Sequence, residues 1–182
     1  MGDLSIERVA AGALGAVIQD RFAALADRNS PTLRVAGVVA SHEELLPALN
    51  ELLEAERAGS RVTLRTAAEA PEALKALIVA SHRDEARWCG VLTRAIHHLG
   101  GTPSPKTGAF HDKTTAIVDI PARLAFLNRS QGWVVRKLRM LLPTILDDAI
   151  HADLTAMLAS HERNIGLVAA KLPAPPSQGG SR

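Results

Sequence analysis

Between residues 41 and 172 the apolar positions recur at spacings of three and four in four successive blocks, the pattern of helices that each bury one face. The first block opens at Ser41 with Glu44 three residues on, a capping box, and runs through Leu45, Leu49, Leu52 and Leu53 to about Thr66. The second starts near Pro71 and stops at the Gly100-Gly101 pair after Leu99. A loop of about eighteen residues, rich in Gly, Pro, Thr and Lys, then leads to Asp119. Asp119 caps a third helix with Pro121 in its first turn; Leu124, Leu127, Val134, Val135, Leu138 and Leu142 carry it to Pro143. The fourth runs from about Thr144 to Leu172 on Ile150, Leu154, Met157, Leu158, Ile165 and Val168. Two short links and one long one predict two helical hairpins joined by a crossover: an all-α, antiparallel four-helix bundle over residues 41–172.

Outside that body, residues 4–27 predict a further amphipathic helix (Leu4, Val9, Leu14, Val17, Ile18, Phe22, Leu25), so residues 1–40 read as a helical arm and linker. The small-residue run from Ala10 to Gly15 allows close helix contact. An arm that cannot bury its own stripe packs on the bundle or on a second subunit, and a homodimer through this helix is the expectation. Residues 173–182, rich in Pro, Ser and Gly, predict a disordered tail.

Composition narrows the class. Of 182 residues 47% are hydrophobic, enough for a continuous core, and aromatics are only 3% with no tyrosine, a balance that favours helix over strand. The net charge of +2, from 21 basic and 19 acidic residues spread along the chain, gives no field that points to nucleic acid. Cys89 is the sole cysteine, so neither an internal disulfide nor a thiolate metal cluster is available, which fits a reducing cytoplasm. Asp3 and Glu7 precede the first apolar stretch, unlike a secretory signal, and charges or histidines interrupt every candidate membrane span. No phosphate loop, metalloprotease His pair or nucleophile elbow is present.

The chemistry lies in polar residues at positions where leucine is expected. On a wheel of about 100° per residue, Glu56 falls within about 30° of the first stripe's centre. Glu85 lies between Ile78 and Trp88 on the second stripe. Gln131 is central in the third, with Asn128 on the same face, and His161 is central in the fourth, with Asn164 one turn on. All four central residues are near their helix midpoints, so the pattern predicts one cluster at a common level. Two buried carboxylates without partners would each cost several kcal/mol, so protonation, hydrogen bonds or a cation must neutralise them.

Glu56 within Glu-Ala-Glu-Arg-Ala-Gly and Glu85 within Asp-Glu-Ala-Arg-Trp resemble the first and second helices of ferritin-like carboxylate proteins. More narrowly, residues 41–172 are similar to an uncharacterised bacterial ferritin-like domain family with an eroded di-iron motif. In di-iron members two helices give one Glu each and the other two give a Glu with a His three residues later. Here Glu56 and Glu85 match the first two carboxylates. Trp88 stands in place of a paired His, Gln131 in place of the third Glu, and His161 with Asn164 in place of the last pair. The resemblance thus implies a degenerate carboxylate centre and no di-iron catalysis.

The expected function is a binding or structural protein with no catalytic residue to name. Two alternatives stand beside it. One is a metal-dependent oxidoreductase with a single iron or manganese ion on Glu56, Glu85 and His161, supported by hydrogen bonds from Gln131, Asn128 and Asn164, with His82 as a reserve ligand. The other is a partner or cargo subunit recruited through the arm. Of the remaining residues, His97 and His98 read as helix C-terminal caps. Arg123, Arg129, Arg136, Lys137 and Arg139 read as a solvated face, Cys89 as a small buried hydrophobe, and Trp133 as a ring covered by the arm.

Overall fold

Ser41 begins the bundle as the pattern predicts: its hydroxyl accepts from Glu44 N at 3.3 Å while Glu44 Oε2 accepts from Ser41 N at 3.0 Å, closing the capping box. The computed structural model describes residues 41–107 and 110–172. These fall in the second of the two units into which the chain divides, Gly37–Arg182. The expected arm, residues 1–40, and tail, residues 173–182, lie outside the described residues.

Every regular element among the described residues is helical: α1 (His42–Glu69), α2 (Glu72–His98), α3 (Phe110–Thr115), α4 (Ile120–Leu141) and α5 (Asp148–Lys171). At the end of α2, Gly100 takes φ of 75°, which only glycine adopts without strain. Gly101 N then donates to Ile96 O and Gly100 N to His97 O, both at 2.9 Å, so the last carbonyls are satisfied by a Schellman turn. No described helix is long and apolar enough to cross a membrane.

Contacts fix the directions of the helices. At one end, the base, His98 of α2 meets Asp147, the N-cap of α5. At the other, the crown, Arg123 of α4 meets Glu69 of α1. The crossover climbs from base to crown along the outer face of α1. Asn50 Nδ2 donates to Thr102 O, Ser104 N to Asn50 Oδ1 and the Ser104 hydroxyl to Glu54, and Arg61 Nη1 donates to Thr107 Oγ1. Thus α1 and α5 run one way and α2 and α4 the other, in two hairpins joined by a long link.

Three expectations need correction. The crossover is not all loop, because Phe110–Thr115 forms α3, whose Phe110 ring stacks on Phe126 with centroids 5.7 Å apart. The last helix starts at Asp148, not near Thr144. Leu142–Thr144 is a 3-10 turn and the Asp147 carboxylate caps by accepting from Ile150 N at 2.9 Å. Finally, Arg123 does not belong to a solvated face: it is buried, donating from Nε to Ile117 O at 2.7 Å and from Nη1 to Glu69 Oε2 at 2.6 Å.

The apolar core divides in two. A base cluster joins Leu49, Leu52, Leu53, Trp88, Leu92, Leu138, Leu154 and Met157 with their neighbours, and a smaller crown cluster joins Ala67, Ile78 and Leu124. Along every long helix the polar residues flagged by the wheel fall between these clusters.

Candidate functional site: the mid-bundle polar layer

Glu56, Glu85 and His161 are all buried, as is Thr63, which lies seven residues beyond Glu56 on the same face of α1. The structure joins the four central residues as two pairs. Glu56 faces His161, with Oε1 3.2 Å from Nε2; the distance suits an ion pair, but the alignment is not that of a hydrogen bond. Gln131 Nε2 donates to Glu85 Oε1 at 2.7 Å.

Glu85 is gripped on three sides. Its Oε2 lies 2.8 Å from Thr63 Oγ1, its Oε1 accepts from Gln131, and its carboxyl rests where a β-carbon on Gly59 would stand 2.5 Å from Oε1. Gly59 is therefore the notch in α1 that admits the acid. Burial drives the Glu85 pKa well above the usual carboxylate range, and the nearby Glu56 charge adds to the rise, outweighing the Thr63 and Gln131 contacts. The Thr63 hydroxyl has one hydrogen and a second acceptor, Gly59 O at 2.9 Å. With Glu85 neutral, both needs are met: Thr63 donates to Gly59 O, and the Glu85 O–H donates to Thr63 Oγ1.

The other predicted supports do not reach the acids. Asn164 Nδ2 donates to Asp84 Oδ2 at 2.9 Å, joined there by Ser160 Oγ at 3.1 Å, so this pair ties α5 to α2. Asn128 Nδ2 donates to Ile165 O at 3.2 Å. His82 Nδ1 lies 2.9 Å from Ser60 O and 3.2 Å from Ser60 Oγ, on the outer seam of α1 and α2, which removes it as a reserve ligand. Each of these side chains meets a group other than Glu56 or Glu85. Cys89 is half-buried, and burial foremost, with Glu56 next, pushes its thiol up to about 12, which leaves it protonated and inert at neutral pH.

The layer is not closed. Both oxygens of Glu56, His161 Nε2, Trp88 Nε1 and Gln131 Oε1 are buried without a hydrogen-bond partner among the described residues. Nor do any three His, Cys, Asp or Glu side chains among the described residues stand together as ligands of one ion. The expected set of Glu56, Glu85 and His161 is split because Glu85 turns to Thr63 and Gln131.

The model of one family, Domain of unknown function (DUF6306), matches residues 43–170. The chain belongs to the DUF6306 family. Its matched segment takes in all four long helices and the whole polar layer, so the layer lies in the part that defines membership. No curated protein and no solved structure matches the chain.

Sequence reasoning missed Thr63, Gly59, Asp84 and Ser160. Thr63 carried a signal, a polar residue in register with Glu56; Gly59 carried none until Glu85 was placed opposite it. Asp84 lies about 100° from Glu85 on the α2 wheel, off the stripe, and gains meaning only once α5 is known to lie alongside.

Proposed function

We propose that the chain is a ferritin-like four-helix bundle, cytoplasmic and dimeric, that works as a binding or structural protein without di-iron catalysis. Support for the ferritin-like reading comes from the two hairpins, the long crossover along α1 and the matching places of Glu56 and Glu85. The observation that carries the functional reading is the engagement of Glu85. An acid pinned by Thr63 and Gln131 in the Gly59 notch is satisfied by the protein itself. A dinuclear iron centre of the kind held by intact ferritin-like di-iron proteins does not fit these residues, in keeping with the eroded motif. Two such ions call for about four carboxylates and two imidazoles, whereas this layer brings Glu56, Glu85 and His161.

One observation favours a second reading, a single divalent ion on Glu56 and His161: beyond their own 3.2 Å approach, both Glu56 oxygens and His161 Nε2 are buried with no hydrogen-bond partner among the described residues. Unsatisfied buried polar atoms are rare, and an ion or water is the usual answer.

Metal analysis separates the two. Protein from iron- or manganese-supplemented cells should hold far less than one equivalent per chain on the first reading, with Glu85→Gln unchanged in fold and metal content. A content near one equivalent that vanishes in Glu56→Gln establishes the second. Two irons per chain contradicts both.

A further inference from the structure

Of the large hydrophobic side chains that stand exposed among the described residues, Val118, Trp133, Met140 and Leu146 lie on α4 or within a few residues of its ends, and only Leu64 and Leu167 lie elsewhere. Within α4, Phe126, Trp133 and Met140 recur every seven residues, so they form one row about 21 Å long that drifts by about 20° per step. Phe126 is half-buried, whereas Trp133 and Met140 are 40% and 63% exposed. Arg129 and Arg136 form a second row within about 60° of the first. The Arg129 guanidinium lies 5.6 Å from the centre of the Phe126 ring, which joins the two rows into one face. The buried Leu124, Leu127, Val134 and Leu138 hold the opposite side of the helix in the core, so this face looks outward.

Charge on the helix has one sign. From Ile120 to Leu141 it carries five basic residues and no acidic one. Three are neutralised by neighbouring helices: Arg123 pairs with Glu69, Lys137 with Glu51 and Arg139 with Glu162. Arg129 and Arg136 are exposed and make no ion pair with a described residue. A matching occupant must therefore be anionic and must also take up apolar side chains. A polyanion alone leaves Met140 in water. A symmetric pair of copies meeting on this face sets the same two arginines against each other. A lone peptide helix laid on one convex helix covers only a narrow strip. An anionic bilayer meets both demands, because its headgroup layer receives the Trp and Met side chains of a helix lying in its plane while its phosphates pair with the arginines alongside.

We propose that the outer face of α4 is a docking surface for an anionic lipid bilayer, with α4 lying parallel to the membrane, Trp133 and Met140 in the headgroup layer and Arg129 and Arg136 against lipid phosphates. The contact is peripheral and reversible, since two cations and a short apolar row make a weak anchor. It involves none of the mid-bundle acids, so its test is separate from the reading of Glu85.

The experiment mixes the full chain with phosphatidylglycerol–phosphatidylcholine vesicles and with pure phosphatidylcholine vesicles, and reads co-sedimentation and tryptophan emission. Trp88 is buried, so Trp133 is the ring that lipid can reach. The anionic vesicles should sediment the protein and shift its emission to the blue, an effect that raised salt reverses; the neutral vesicles should do neither. Arg129→Gln with Arg136→Gln should weaken the partition by about fivefold per arginine, and Met140→Asp should weaken it with the arginines intact. Arg83→Gln with Arg94→Gln removes as much charge from the exposed face of α2 and should leave binding unchanged, all variants keeping the helical circular dichroism of the wild type. Absence of sedimentation with either vesicle overturns the proposal, as does binding without an emission shift or an equal loss in the α2 variant, which would mark indiscriminate charge attraction. Saturable binding of a single-stranded DNA oligonucleotide that the α4 variants lose, with none to vesicles, would assign the face to nucleic acid instead.

Discussion

Glu85 sets a pH dependence for the layer because burial raises its pKa well above the usual carboxylate range. In the unfolded chain it ionises near its ordinary value of 4.5; in the bundle burial and the Glu56 charge raise that value. Below 4.5 both states are protonated and the fold keeps its full stability. Above it the unfolded chain releases a proton that the folded chain holds, so stability falls as pH rises toward the folded value. Glu85→Gln keeps the shape and both contacts without the proton. The wild type should therefore lose stability relative to this variant by up to about 1.4 kcal/mol per pH unit above pH 4.5, and the two should converge below it. Urea unfolding from pH 4 to 8 reads the difference, and parallel curves contradict it. At this scale Glu56, Glu85, Gln131 and His161 were legible, because a polar residue at the centre of an apolar stripe stands out. Their pairing was not, since Thr63 and Gly59, which decide where Glu85 turns, look like ordinary helix residues.

At the scale of elements, the crown is held by a buried guanidinium that joins three segments. Arg123 on α4 reaches Glu69 at the end of α1, Thr66 one turn before it, and Ile117 O in the crossover. Its removal leaves Ile117 O without that donor, so Arg123→Leu should destabilise the bundle by about 1–3 kcal/mol in urea unfolding. Glu69→Gln should do less, because Glu69 is 39% exposed and water takes up what the guanidinium gives. Arg123, with Arg65, holds the Glu69 carboxyl below its usual range, so this pair acts with the opposite sign to Glu85: its support is present above the unfolded value and fades as pH falls through the folded one. A charge on a wheel that already carries Arg129, Arg136 and Arg139 gives no sign of being buried, which is why Arg123 was misread. Helix starts were legible where a side chain caps them, as at Ser41 and Asp119. The start of α5 slipped because Pro143 opens a 3-10 turn before Asp147 can cap, and α3 has too few residues to show a period.

For the whole molecule, four blocks of similar length with two short links and one long link leave few arrangements, and the hairpin pairing followed from that alone. The division of the core into base and crown clusters follows from the same residues that form the site, because a polar layer interrupts each apolar stripe at mid-length. Subunit pairing belongs to this scale too. If residues 1–40 mediate a dimer, their deletion should turn a dimer into a monomer in light scattering and leave the bundle folded; a dimer of the shortened chain contradicts it.

Whether the protein alone satisfies its buried acid is read most directly from the Glu85 carboxyl carbon. A ¹³C titration, with the resonance assigned by its loss in Glu85→Gln, should find that carboxyl still protonated well above pH 4.5. A carboxyl that titrates near pH 4.5 would mean an ionised acid at mid-bundle, and the reading of Glu85 as an acid satisfied by its own protein groups would be wrong.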